Sequence, residues 1–418
     1  MPHFYLFKTT NYANYAYIGY ATYLCVLWMF FNYGGSGLDP YKGSGFRWLL
    51  ITTPLFIYLA INFLLLISKP FVDRNFVTLF LLLYLLCTLL ASGIKADIKH
   101  FSEIVRWVLP IMFICHFKVY MPVNILNALY LFAVVTIFFT FDPSDSDYGF
   151  LPGQTTTNLH QGLWWRVSIW KYMTPPYSAA FSIIVYFANY FLNKSASRYI
   201  LYSLSIYFLV LSASRTGYFV FAICLSVVLF RGYFTFKFRL LYILIPIFSV
   251  AAIFLLQFFS DLLPMLGIRN EFLTSALLRN PTSSGDAGNL SSRFNIILEH
   301  LRLVTEAGAS AVFGLGSEVY ASPAWRSNGG HLGGTADSNV SHLIVRDGLA
   351  IVFLVLSFVF LFVESMKNRN IAAYIVLLAL LLYTIGYGAW LNLTSPVYVI
   401  YLGFIYQPMM LYLDNSLN

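Results

Sequence analysis

Charge is scarce in this chain: Asp, Glu, Lys and Arg together make up 10% of its 418 residues, where a soluble domain carries about 25%. That scarcity excludes a well-solvated surface over most of the molecule. Cysteine is sparse as well. Cys25, Cys87, Cys115 and Cys224 each lie in an apolar stretch, without CxxC or zinc-ligand spacing, and read as small packing residues rather than a disulfide framework or a metal site. No GxxxxGK[ST], GxSxG or HExxH occurs, and no Asp-rich pair of the kind magnesium-dependent sugar-nucleotide transferases use. Any reaction is therefore expected to be metal-free, to need no cofactor, and to start from an already activated donor. The stretch Met1 to Tyr15 is too polar for a cleaved signal peptide, so the first span is expected to be its own insertion signal.

What fills the chain instead is hydrocarbon. The hydrophobic set makes up 59% of the residues and the mean hydropathy is +0.72. Water would require two or three domains to bury that much apolar surface, whereas a bilayer lets it face outward. The 31 Tyr, 40 Phe and 8 Trp suit aromatic belts at the membrane interfaces. A span needs about 20 predominantly apolar residues. Segments of that kind fall near 14–33, 48–68, 75–94, 103–117, 121–141, 174–193, 199–213, 216–231, 239–259, 345–364, 370–389 and 394–413. The expected fold is all-α: one polytopic integral membrane domain over 1–418 with about twelve transmembrane helices. The polar break Ser212-Ala213-Ser214-Arg215-Thr216-Gly217 splits what would otherwise be one long helix.

Twelve spans put both termini on one side. If that side is cytoplasmic, the inner segments hold Lys8, Lys69, Arg74, Lys118, Lys194, Arg198, Arg231, Lys237, Arg239, Lys367 and Arg369 against only Asp73, Glu364 and Asp414. The outer segments then balance, and the whole formal charge of +8 sits inside. This asymmetry sets the orientation. It also accounts for the pI of about 9.1 without nucleic acid as a partner.

Two outer segments exceed connector length: 142–173 and the large loop 260–342, which is expected to contain short helices. The large loop carries Arg269, Arg279, Arg293, Arg302 and Arg326 and no lysine. Arginine presents a planar fork suited to phosphate or carboxylate, and an arginine-only set facing a membrane suits a phosphate-bearing lipid headgroup. Residues Ser291 to Val304 read as a helix with a serine N-cap. On it Glu299, Arg302 and Glu306 share a face at salt-bridge spacing, the mark of a solvated surface. Arg293 and His300 fall on another face beside Ile297 and Val304, which favours Arg293 as an anion-binding residue.

Arg215, at the outer mouth of two spans and flanked by Ser212, Ser214 and Thr216, is a second candidate against the plainer reading of a snorkelling side chain. Arg166, in the smaller loop shortly before Pro175-Pro176-Tyr177-Ser178, is a third, and Lys171 lies near it. The glycine-rich Gly329 to Asn339 contains His331 and Asp337, followed by His342, Arg346 and Asp347. It is either a plain flexible connection or a mobile segment whose Asp or His is a general base.

Together these pieces resemble the O-antigen polymerase and O-antigen ligase superfamily of bacterial envelope glycan assembly. Ser212 to Gly217 resembles that family's S-x-S-R-[TG] turn. Arg293 to Ile297 with Phe313-Gly314-Leu315-Gly316 resembles its R…fG-x-G element. Asp337-Ser338-Asn339 with Asp347-Gly348-Leu349-Ala350 resembles its D-[NS]…x-G-[IL]-x-G stretch, except that Ile351 stands where the last glycine is expected.

The resemblance implies a GT-C-like, metal-independent glycosyltransferase of the bacterial inner membrane, working at the periplasmic face on undecaprenyl-pyrophosphate-linked glycans as donor and acceptor. It implies Arg215 and Arg293 on the donor pyrophosphate and Asp337 as a catalytic residue, with Arg166, Lys171, His300 and His331 as substrate-binding residues. A chain-length regulator protein is an implied partner beside the membrane lipids. Asp337 stands where ligases typically carry histidine, which points to polymerase, with a ligase or a flippase as the alternatives.

Overall fold

The structure is a computed structural model, and it describes residues 2–30, 45–68, 76–140, 175–212, 214–229, 244–249, 302–306, 308–316, 339–367, 370–386 and 396–406. Among these residues every regular element is helical and no strand occurs. The helices are α1 Pro2–Phe30, α2 Gly45–Ser68, α3 Phe76–Ile94, α4 Ile98–Phe117, α5 Val123–Thr140, α6 Pro175–Leu192, α7 Ser197–Leu211 and α8 Arg215–Leu229, followed by α9 Asn339–Asp347, α10 Ile351–Lys367, α11 Ile371–Gly386 and α12 Pro396–Phe404. Short 3-10 turns cover Gly308–Phe313 and Gly348–Ala350.

Among the described residues, two stretches are long and apolar enough to cross a membrane, Phe76–Ile94 and Leu343–Lys367, and six shorter apolar helices accompany them. The break expected between α7 and α8 is present. Helix α4 begins at Ile98, ahead of the expected 103, because the Asp97 side chain caps it by accepting from the His100 backbone N–H at 3.0 Å. An N-cap of this kind satisfies one of the four donors that every helix start leaves open.

Antiparallel neighbours joined by short connections build the bundle. Helix α3 packs between α4 and α10, α6 against α7 and α8, and α11 against α8, α10 and α12, while α1 lies along α2 and α12. Stacked phenylalanines zip α3 to α10, with Phe76 on Phe360 at 5.4 Å and Phe80 on Phe353 at 6.4 Å between ring centroids.

Tyrosines are prominent in the interior, while Tyr12, Tyr15, Tyr199 and Tyr207 are exposed. Tyr17, Tyr58, Tyr84, Tyr130, Tyr383, Tyr398, Tyr401 and Tyr406 are among the largest fully buried side chains. A buried hydroxyl is costly unless it finds an acceptor. Helix carbonyls supply several: Tyr17 donates to Val399 O at 2.6 Å and Tyr401 to Ala180 O at 2.8 Å. Between α5 and α6, Asn127 and Asn189 exchange side-chain amide hydrogen bonds at 2.8 and 2.9 Å. The outward faces carry exposed Leu64, Ile67, Leu90, Ile200 and Val355.

The course of the chain brings several helix ends together. Helix α10 runs away from Asp347 and α11 returns, so the end of α11 lies at the same end of the bundle as Asp347. Tyr383, near that end, meets the start of α8 at Gly217, and Gly217 also touches Ala179 near the start of α6. The α3–α4 corner reaches the same end through His100 and Asp347.

Candidate functional site

Arg215 opens α8 as its first residue. The preceding turn is built by two serines. Ser212 Oγ donates back to Leu209 O at 2.6 Å and accepts from the Ser214 backbone N–H at 3.3 Å. Ser214 Oγ then accepts from the Gly217 N–H at 3.1 Å, which makes Ser214 the N-cap.

Both serines are buried. Gly217 is packed so closely that a Cβ would stand 2.6 Å from Ala179 Cβ and 3.2 Å from Tyr383 Oη. The backbone carrying Arg215 is thus pinned from α6 and α11. An arginine in the first turn adds positive charge where the helix dipole is already positive, an arrangement disfavoured by about 0.3–1 kcal/mol unless an anion sits there. Of the Arg215 side chain itself the structure describes nothing.

A second constellation joins segments more than 200 residues apart. The Asp347 carboxylate is fully buried and is served by four donors. Arg346 grips it as a fork, Nε to Oδ1 at 2.8 Å and Nη2 to Oδ2 at 2.9 Å. His100 Nε2 meets Oδ1 at 2.9 Å, and the Tyr84 hydroxyl donates to Oδ2. Four donors match the lone-pair capacity of one carboxylate. The Arg346 guanidinium also lies 5.7 Å from the Trp107 ring centroid, and Trp107 packs edge-on against Tyr84.

Ser92, His100 and Asp347 follow one another as in a nucleophilic triad, with Ser92 Oγ 2.8 Å from His100 Nδ1. Two observations argue against that chemistry. The single Ser92 hydroxyl proton has a competing acceptor in Thr88 O at 2.8 Å. All three residues are about 1% exposed, so no substrate carbonyl reaches the hydroxyl. The group is a buried clamp.

The clamp holds the Phe313–Gly316 element. The Lys95 ammonium donates to Gly314 O, and Leu315 N–H donates to Val345 O at 2.8 Å. Gly314 and Gly316 take φ of +73° and +62°, a region that L side chains rarely enter. A Cβ on Gly314 would collide with the Arg346 carbonyl, and one on Gly316 would stand 2.5 Å from Asp97 Oδ2. Both glycines of the G-x-G element are thus required by conformation and by space.

Arg166, Lys171, Arg293, His300, His331 and Asp337 lie outside the described residues. Arg302, expected on a solvated face, pairs with Glu306 at 2.7 Å with both side chains well exposed. Sequence reasoning singled out Arg346 and Asp347 but missed Lys95, His100, Tyr84 and Trp107. The available signal was a short connection dense in ionisable residues, Lys95, Asp97, Lys99 and His100, in a chain otherwise poor in them. Among the described residues, no three His, Cys, Asp or Glu side chains converge as a metal site requires. No family model matches this chain, and no curated protein does either.

Proposed function

We propose that the chain is a polytopic inner-membrane glycosyltransferase that polymerises lipid-linked oligosaccharide repeat units at the periplasmic face. The observation that carries this reading is a convergence at one end of the bundle. The Ser212–Gly217 turn, the Phe313–Gly316 element and the Asp347–Ala350 stretch, far apart in sequence, all lie at that end. These are the stretches that resemble the polymerase and ligase superfamily.

Supporting the membrane reading, described helices overlap each of the expected spans, including residues 244–249 inside 239–259. Their outward faces carry exposed aliphatic side chains of the kind a hydrocarbon solvent accepts. At the opposite end of the bundle lie Lys118, Lys194, Arg198 and Lys367, the charge pattern of a cytoplasmic face.

In the proposed reaction, the growing glycan is carried on undecaprenyl pyrophosphate. The bond from its anomeric carbon to the phosphate oxygen breaks, and a hydroxyl at the non-reducing end of an incoming lipid-linked repeat takes its place. Arg215, with Arg293, would stabilise charge gathering on the departing pyrophosphate, and Asp337 would take the hydroxyl proton. Arg166, Lys171, His300 and His331 would line the approach of substrate. A chain-length regulator would act beside the enzyme.

A ligase of the same fold is the nearest alternative, and Asp337 in place of histidine favours polymerase over it. A flippase would line a path through the bilayer with ionised groups. Among the described helices, α2 and α6 hold neutral Asn62 and Ser182 towards their middles, and the ionisable pair Glu103 and Arg106 is confined to α4. Deleting the gene and resolving the envelope glycans on a gel tests the proposal. Loss of the length ladder with a single repeat still attached is expected. Complete loss of capped lipid A-core would point to a ligase or a flippase, and a normal ladder from Arg215→Ala and Arg293→Ala would refute the site assignment.

A further inference from the structure

We propose that Lys95 and His100, with Asp347, are positioning residues that fasten the Gly314–Gly316 turn to the α3–α4 corner, an inference that rests on the reading of this end of the bundle as the reaction face. Three consecutive residues of the turn are held from different elements. The Lys95 ammonium takes the Gly314 carbonyl, and α9 takes the Leu315 N–H through Val345 O. Gly316 seats against Asp97 Oδ2 and His100 Nδ1, whose distances from its Cβ position are 2.5 and 3.3 Å.

Behind the turn, His100 is in turn held by Asp347, and Asp347 by the Arg346 fork and Tyr84. A sliding or rotating turn would have to break all three holds at once. Buried ion pairs are poor devices for stability alone but impose one geometry on what they join. A loop contributing arginines to a pyrophosphate site needs such an anchor, because small misplacements of positioned groups cost large factors in rate.

The corner residues Lys95, Asp97 and His100 lie outside every stretch that resembles the superfamily, whereas Asp347 and the turn they hold lie inside two of them. Lys95 is the most informative handle. It is half-buried, and its replacement by methionine keeps the stem while removing one charged hydrogen bond.

The test uses the full-length protein in native membranes, with trypsin added at the outer face and transfer measured on lipid-linked repeats. Lys95→Met is expected to speed cleavage of the large loop, whose trypsin sites include Arg302 and Arg326, by at least about tenfold, the size of one lost charge-assisted hydrogen bond. It is also expected to lower kcat for transfer by about tenfold with donor KM nearly unchanged. Lys95→Arg, which restores a donor, should rescue both readings, and His100→Gln should reproduce the defect independently.

Unchanged cleavage in Lys95→Met and His100→Gln overturns the fastening while leaving the proposed function standing. Faster cleavage with unchanged kcat overturns the positioning role. Wild-type protein that transfers nothing overturns that role together with the proposed function, and the cleavage comparison still decides the fastening.

Discussion

Replacing Asp347 with asparagine keeps the side-chain shape and removes one negative charge from the centre of the clamp. The structure sets the size of the effect. The carboxylate receives two N–H bonds from Arg346 at 2.8 and 2.9 Å and one contact from His100 at 2.9 Å, with Tyr84 as its fourth donor. Asparagine retains one acceptor oxygen and turns an NH2 group towards donors, so at least two charge-assisted bonds are lost, each worth about 1.5–3 kcal/mol. The Arg346 guanidinium then stays buried without its counter-ion. Breaking a buried pair from one side costs about 3–5 kcal/mol, in line with the sum of the lost bonds.

The assay is denaturant unfolding of the full-length protein in micelles, followed by tryptophan fluorescence. Trp107 lies against the Arg346 guanidinium and reports on the site directly. Asp347→Asn should be destabilised by about 3–5 kcal/mol, and the double variant Arg346→Met/Asp347→Asn should recover about half of that, because no unpaired charge is left behind. A single variant within about 1 kcal/mol of wild type, the range of an exposed pair, would refute the claim that this carboxylate balances a buried guanidinium.

Other consequences follow from the packing. Gly217→Ala drives a methyl group into Ala179 and should cost about 1–3 kcal/mol, most of it recovered by the companion change Ala179→Gly; strictly additive effects in a double-mutant cycle would contradict the close approach of α8 to α6. Asn127→Ala, which breaks the amide exchange with Asn189, should cost no more than about 2 kcal/mol, since hydrogen bonds between membrane helices average about 0.6 kcal/mol; thermal unfolding in micelles checks this, and a larger loss would mean that the pair sets helix register. Arg302→Ala should change stability by no more than about 0.5 kcal/mol and leave transfer untouched, because its partner Glu306 is on an exposed face.

Much of the architecture was legible in the chain because hydropathy is a local property. The break between α7 and α8 follows from Ser212 to Gly217, a polar and glycine-containing interval between apolar runs, and the structure adds the serine capping that makes it a turn. The start of α4 was read late, since a hydropathy window discards a first turn holding Lys99 and His100, although the Asp97 cap and the pairing of His100 with Asp347 are what allow that turn.

The interior tyrosines were not legible for a related reason. Composition reports how many hydroxyls there are but not that helix carbonyls such as Val399 O and Ala180 O accept from them. The clamp was out of reach for a different reason. His100 and Asp347 are 247 residues apart, and no periodicity within either helix signals the other. The glycines of Phe313–Gly316 could be seen as a motif, but their cause, the Arg346 carbonyl and the Asp97 carboxylate pressed against them, exists only in three dimensions.

The central claim is tested most directly by incubating the purified full-length protein in liposomes with a defined undecaprenyl-pyrophosphate-linked repeat and resolving the products by length. A ladder of multiples of the repeat with matching release of undecaprenyl pyrophosphate is expected, and no ladder from Arg215→Ala. Unelongated substrate that merely crosses the bilayer, or glycan delivered only to an added lipid A-core, would contradict the claim.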